Sequence, residues 1–247
     1  MRDTGKPIGA WWWAASGKHP AAKDFLEAGE SFPLFAALTQ WVERGYPEYA
    51  APGPAPLHSW RFWARGGRKE HMVCGLLKDS CDNLGRPFPL LIMGSGELEN
   101  WEDHWDLLPL ACESAWIQME SFSTRQYQNF EELENGLAAI RAPAPRWDHF
   151  AGTDFSTYTS SPSWDLIQDL HPGEVFSIPL EPLPSHEQKM QILAWHRLCK
   201  NHLKDLPVIA FMGDAGESPY LFIAMRALSH EDFRSLWRHA VPEIREE

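Results

Sequence analysis

Close cysteine pairs are missing from this sequence. Cys74, Cys81, Cys112 and Cys199 are scattered along 247 residues, with no C-x-x-C spacing. That argues against a disulfide framework or a zinc knuckle and suits a reducing cytoplasm. Basic charge is scarce: 22 Lys and Arg face 34 Asp and Glu, for a net charge of −12. Such a surface repels phosphate backbones and anionic bilayers, so no nucleic-acid partner is expected, while a basic protein would be drawn to it. No apolar run reaches the roughly 18 residues of a membrane span, so no membrane insertion is expected. The run "IGAWWWAA" (residues 8–15) is short and tryptophan-rich, and reads as a buried strand rather than a secretion signal.

Motifs for chemistry are also missing. Around "SGKHP", a phosphate-binding loop would need glycine where Trp12 stands and Ser or Thr where His19 stands. Around Ser95 the glycines are adjacent, not two residues away, so there is no nucleophile elbow. His196, Cys199 and His202 do not share one helical face and read as core or surface residues, not ligands. Asp103, His104 and Asp106 read as the solvated face of a helix. No catalytic residue, metal or cofactor is expected.

Aromatics are plentiful, with 13 Trp and 13 Phe. The length suits one domain over residues 1–247. After the first strand, "SGKHPAAKDF" reads as a loop into a helix, with Asp24 near its N-terminus. A helix follows at 33–44, presenting Leu34, Leu38, Trp41 and Val42 inward, and Gly45 stops it. The Pro- and Gly-rich 45–56 stretch is a surface connection. "HSWRFWARGG" and "HMVCGLLKDS" read as a hairpin turning at "GGRK", and "PFPLLIMG" is the next strand, with Phe88 and Leu90 on one core-facing side. Helices are expected at 100–119, started by Asn100 and kinked at Pro109, and at about 127–140, with a surface loop over 143–162. Ser185 and Gln188 form a capping box for a helix to about His202. A strand pair, "PVIAFMG" and "PYLFIAMRA", and a final helix capped by Ser229 complete the chain. The fold class expected from this order is α/β: a mixed, partly antiparallel sheet with helices on both faces.

Two segments resemble a known family. "GKHPAAKDFLEAG" (17–29) is similar to the G-K-x-P-x-x-G-D-F segment of TagF proteins, also called ImpM, with Gly17, Lys18, Pro20, Asp24 and Phe25 in place. Lys23 replaces the family's glycine there, a change in local backbone if that glycine took a left-handed turn. "GLLKDSCDNLGRPFPLLI" resembles the family's G-[VL]-L-x-x-S-x-D-x-x-G-R-x-F-P-L segment and matches at Ser80, Asp82, Gly85, Arg86, Phe88 and Pro89. More loosely, 207–238 is similar to the family's closing strand and helix. The resemblance implies a three-layer αβα sandwich. It also implies a cytoplasmic, non-enzymatic accessory protein of bacterial type VI secretion, a post-translational repressor linked to a scaffold with a forkhead-associated domain. A structural or chaperone-like component, or an enzyme, are the alternatives.

The motif residues carry their own physical reading. "DNLG" is turn chemistry, with Gly85 free to take positive φ. Arg86 can hold a carboxylate through two N–H groups, and Asp82 and Asp24 are the candidates. Either Ser80, Asp82 and Arg86 only lock a strand end to the N-terminal loop, or the same cluster also faces a partner. From sequence, both stay open.

Overall fold

The computed structural model of the chain describes residues 11–46, 58–145, 147–149, 174–215 and 218–238. Residues 8–10 of the first expected strand lie outside these, as do most of 45–56 and of 143–162. Strands β1 (Trp12–Lys18), β2 (Phe25–Gly29), β3 (His58–Arg65), β4 (His71–Lys78), β5 (Leu90–Glu97), β6 (Val175–Pro179), β7 (Ile209–Ala215) and β8 (Ser218–Ala224) form one sheet. Its order is β2-β1-β5-β4-β3-β7-β8-β6. Every ladder between these strands is antiparallel, which corrects the expected mixed sheet. For four of the seven ladders the reason lies in the connections. Neighbours β1–β2, β3–β4, β4–β5 and β7–β8 are joined by short links that reverse the chain, whereas a parallel neighbour needs a long crossover.

Alternation along the strands feeds two cores. Met72, Cys74, Leu76, Leu90, Ile92, Met212 and Leu221 enter one, while Val73, Leu77, Leu91, Met93, Phe211 and Phe222 enter the other. The first core is completed by α3 (Glu113–Thr124), α4 (Phe130–Ala138) and α5 (Ser185–His202), through residues such as Trp116, Leu133 and Trp195. The second is completed by α1 (Pro33–Gly45) and α6 (His230–Arg238), through Phe35, Leu38, Val42, Phe233 and Trp237. Trp60, Trp63, Trp101, Trp116, Trp195 and Trp237 are fully buried, so much of the aromatic content is core area.

Several elements depart from the sequence reading. A strand, β2, follows the first loop where a helix entrance is expected, and β1 runs on through Gly17 and Lys18. The expected 100–119 helix is a 3-10 turn over Glu102–Leu107, then α2 (Leu108–Ala111), then α3. Asn100 does not cap it but sits in the left-handed region at φ 56°. Pro109 falls in the first turn of α2, where its missing N–H costs nothing. Ser185 is the first residue of α5 and makes no cap. Only Gln188 reaches back, its Oε1 accepting the Leu183 N–H at 3.2 Å. Asp106 is buried, and its carboxylate takes Arg197 and Lys200 of α5, so it is a tether and not part of a solvated face.

Candidate functional site

The motif segments meet where β1 ends and β5 begins. Asp82 is the hub and is almost fully buried. Its Oδ1 accepts the backbone N–H groups of Leu84 and Arg86, both at 3.0 Å. Its Oδ2 accepts the Arg86 Nε–H at 2.7 Å and lies 3.1 Å from the Lys18 Nζ. The Gly85 N–H returns to the Asp82 carbonyl at 2.9 Å, closing a tight turn. Gly85 takes φ +77° with open space where a Cβ would be, so glycine is needed there for its backbone angle, not for room.

The turn is sewn to the first loop by main-chain atoms. Arg86 donates from Nη2 to the Lys23 carbonyl at 2.7 Å, and the Asn83 N–H donates to the Ala22 carbonyl at 2.9 Å. Arg86 therefore does not fork onto one carboxylate. It divides between Asp82 and a carbonyl, with Asp24 at 3.6 Å. Ser80 contributes its carbonyl, which accepts the Phe88 N–H at 3.0 Å. Asp24 heads a strand, not a helix, and its Oδ1 accepts the Phe25 N–H at 2.9 Å. Phe88 precedes β5 and does not share a face with Leu90. It is half-buried on the opposite core, its ring 4.6 Å from Phe25 and 5.1 Å from Tyr46. Gly17 adopts φ +122°, with the Pro89 carbonyl oxygen 2.0 Å from where a Cβ would stand. Beyond Lys18, His19 is buried ahead of Pro20. It accepts the Ala21 N–H at Nδ1 (3.0 Å) and so donates from Nε2 to the Phe122 carbonyl (2.9 Å), which fixes the neutral tautomer.

Burial alone would raise the Asp82 carboxyl. The hydrogen bonds from Arg86, Lys18 and Leu84 outweigh it and hold the group at about 2, against the ordinary 3.8. A carboxylate so saturated is a poor general base. Because its folded value is depressed, its contribution to stability is present above pH 3.8 and lost as pH falls through about 2. Asp82→Asn is therefore expected to destabilise the protein at neutral pH and to flatten the fall in urea midpoint across that acidic window. An unchanged slope would refute the assignment.

A profile described as the TagF N-terminal domain, type VI secretion system-associated, matches residues 14–142, just over half of the chain. The chain belongs to the TagF family. Among solved structures, it is similar to PA0076 from Pseudomonas aeruginosa PAO1, determined at 2.05 Å, with a TM-score of 0.51 and 18% identity. That likeness covers 91% of this chain and 93% of the other, and it concerns the fold. No curated protein matches the chain. Both motif segments fall inside the span of the TagF profile.

In this TagF-family chain the departure at Lys23 has a simple resolution. Among the described residues, the non-glycines at positive φ are Glu70 and Asn100, so Lys23 is not left-handed. What the lock uses there is the main-chain carbonyl, which any residue supplies. The Lys18–Asp82 contact, the His19 plug and the Asp106 tether were not legible in the sequence, since each joins elements far apart in the chain. Of the helical trio, His196 and Cys199 are buried and His202 is exposed. Among the described residues, no group of three His, Cys, Asp or Glu could hold a metal ion, and no helix is long and apolar enough to cross a membrane. A cleft of about 310 Å³ lies between β3, β7, α3 and α5. There Arg61 donates to Glu120 at 2.7 Å and to Glu113 at 3.3 Å, and no sequence motif marks it.

Proposed function

We propose that this protein is a cytoplasmic, post-translational repressor of type VI secretion that acts by binding a scaffold carrying a forkhead-associated domain. The observation that supports this reading most is that both family motif segments converge on one rigid corner whose outer side chains stay exposed. Asp82 and Lys18 are buried, whereas Lys23, Asp24, Phe25, Leu84 and Arg86 face solvent. A cluster that only fastened a strand end would not need exposed apolar side chains beside it. We also read the chain as one three-layer folding unit, because a single sheet carries helices of both cores.

Co-expression and pull-down with the forkhead-associated scaffold from the same gene cluster tests the reading. The wild type is expected to be retained. Arg86→Ala, shown to be folded by its thermal transition, is expected to bind roughly 5–30-fold more weakly, as for an interface anchor. No retention of the wild type would overturn the regulatory reading.

A further inference from the structure

The corner carries a more specific chemistry than protein binding in general. Of the four exposed large apolar side chains among the described residues, two stand here: Leu84 is 71% exposed and Phe25 is 55% exposed. Leu84 tops the Asp82 turn, and Phe25 begins β2 on the loop to which that turn is sewn. The Arg86 guanidinium, which ties that turn to the loop, is half-exposed. Its Nε and Nη2 are committed to Asp82 and the Lys23 carbonyl, while its Nη1 has no partner among the described residues. The free edge of a pinned guanidinium is a pre-organised donor for a carboxylate, since its side-chain entropy is already lost.

Local charge runs against the rest of the molecule. Lys18 and Arg86 both meet Asp82, Arg86 also lies near Asp24, and the exposed Lys23 is next to Asp24 in sequence, so three cations accompany two anions on a chain whose net charge is −12. One apolar prong is held as well: the Phe25 ring lies edge-on to Phe88 at 4.6 Å, with the Lys18 ammonium 5.5 Å from its centre.

We infer that this corner docks an acidic segment of a protein partner, one in which a carboxylate meets Arg86 and a neighbouring apolar side chain packs against Leu84 and Phe25. The inference rests on the binding reading above and names the partner's chemistry. The overall negative charge disfavours nucleic acid, because a phosphate backbone would be repelled everywhere but here. A basic segment would be drawn to the general surface but repelled at this spot.

Selection of a phage-displayed random peptide library on the full chain tests it. Enriched peptides are expected to pair Asp or Glu with Leu, Ile, Phe or Trp and to weaken with added salt. They are also expected to lose about tenfold or more in affinity for Leu84→Asp and Phe25→Ser, which leave the Asp82 lock intact. No enrichment, basic consensus peptides, or equal binding to both variants would overturn it. So would cosedimentation with phosphatidylglycerol vesicles that Leu84→Asp abolishes, since that would make the corner a lipid contact. The two readings fail separately. A scaffold retained equally by wild type and both variants sinks the corner but not the regulator. Acidic peptides bound at the corner of a protein that retains no scaffold sink the regulator but not the corner.

Discussion

Gly17→Ala is expected to lower stability by roughly 2–5 kcal/mol. Two costs combine. An L-residue at the φ of +122° found at Gly17 is strained, by about 1–2 kcal/mol. The added Cβ would also meet the Pro89 carbonyl oxygen at 2.0 Å. Backbone cannot swing aside as a flexible side chain does, so β1 and the start of β5 must part, at a further cost of about 1–3 kcal/mol. In a chain of this size, that total corresponds to a fall in Tm of very roughly 4–20 °C. Because Lys18 follows immediately and reaches Asp82, the change should also loosen the turn that holds Arg86. Thermal unfolding of the purified variant measures the first effect, and the exchange rates of the Leu84 and Arg86 amides measure the second. A wild-type melting temperature would show that the close approach at Gly17 relaxes without cost.

Acid should bring the second large effect, through His196. This imidazole is buried on α5, where its Nε2 accepts the Trp63 indole N–H at 3.1 Å and its Nδ1 lies 2.8 Å from the Ile192 carbonyl, so it donates there. Both nitrogens are satisfied only in the neutral form. Burial lowers its titration point from 6.5 to about 4, against the opposing pull of the Ile192 carbonyl and the Asp106 charge. The unfolded chain takes up the proton first, so stability is fully present above pH 6.5 and drains away as pH falls towards 4. The loss should approach roughly 3 kcal/mol at the bottom of that range. His19 acts in the same direction, since burial lowers it too. His196→Gln, whose amide oxygen can still accept from Trp63, should flatten this part of the pH profile. Denaturant midpoints taken across the range decide the matter. An identical slope in the variant would assign the acid sensitivity elsewhere. The Asp82 contribution fails only at lower pH, so the two are separable in one titration.

How much of this could be read in advance depended on whether each contact was local. The hairpin of β3 and β4 was legible because alternation and a glycine-rich turn sit side by side. So was α1, whose apolar residues recur at helical spacing ahead of Gly45. The Asp82 turn was legible for the same reason: Asp82, Gly85 and Arg86 answer one another within five residues. β2 was not, because only Leu26 and Ala28 of its five residues are buried, too few to show a period. The Asp106 tether was not legible because polarity in a helical pattern points to solvent, and its cations, Arg197 and Lys200, lie on a helix much later in the chain. The antiparallel sheet was missed because alternating strands and helices suggest crossovers, and element order does not tell which strands become neighbours.

The placement of β3 has a consequence for the growing polypeptide. β3 lies between β4, its immediate successor, and β7, which pairs His58 with Ala215 and Ala64 with Ile209. When the ribosome has made everything up to the end of the TagF-profile span at residue 142, one long flank of β3 still has no strand to meet it. Trp60 and Phe62 then wait for the Phe211 and Trp237 side chains that complete their core. The nascent half-sheet is an open template for any passing strand until the last part of the chain emerges. A protein built this way cannot complete the core beside β3 until β7 and the last helix are present.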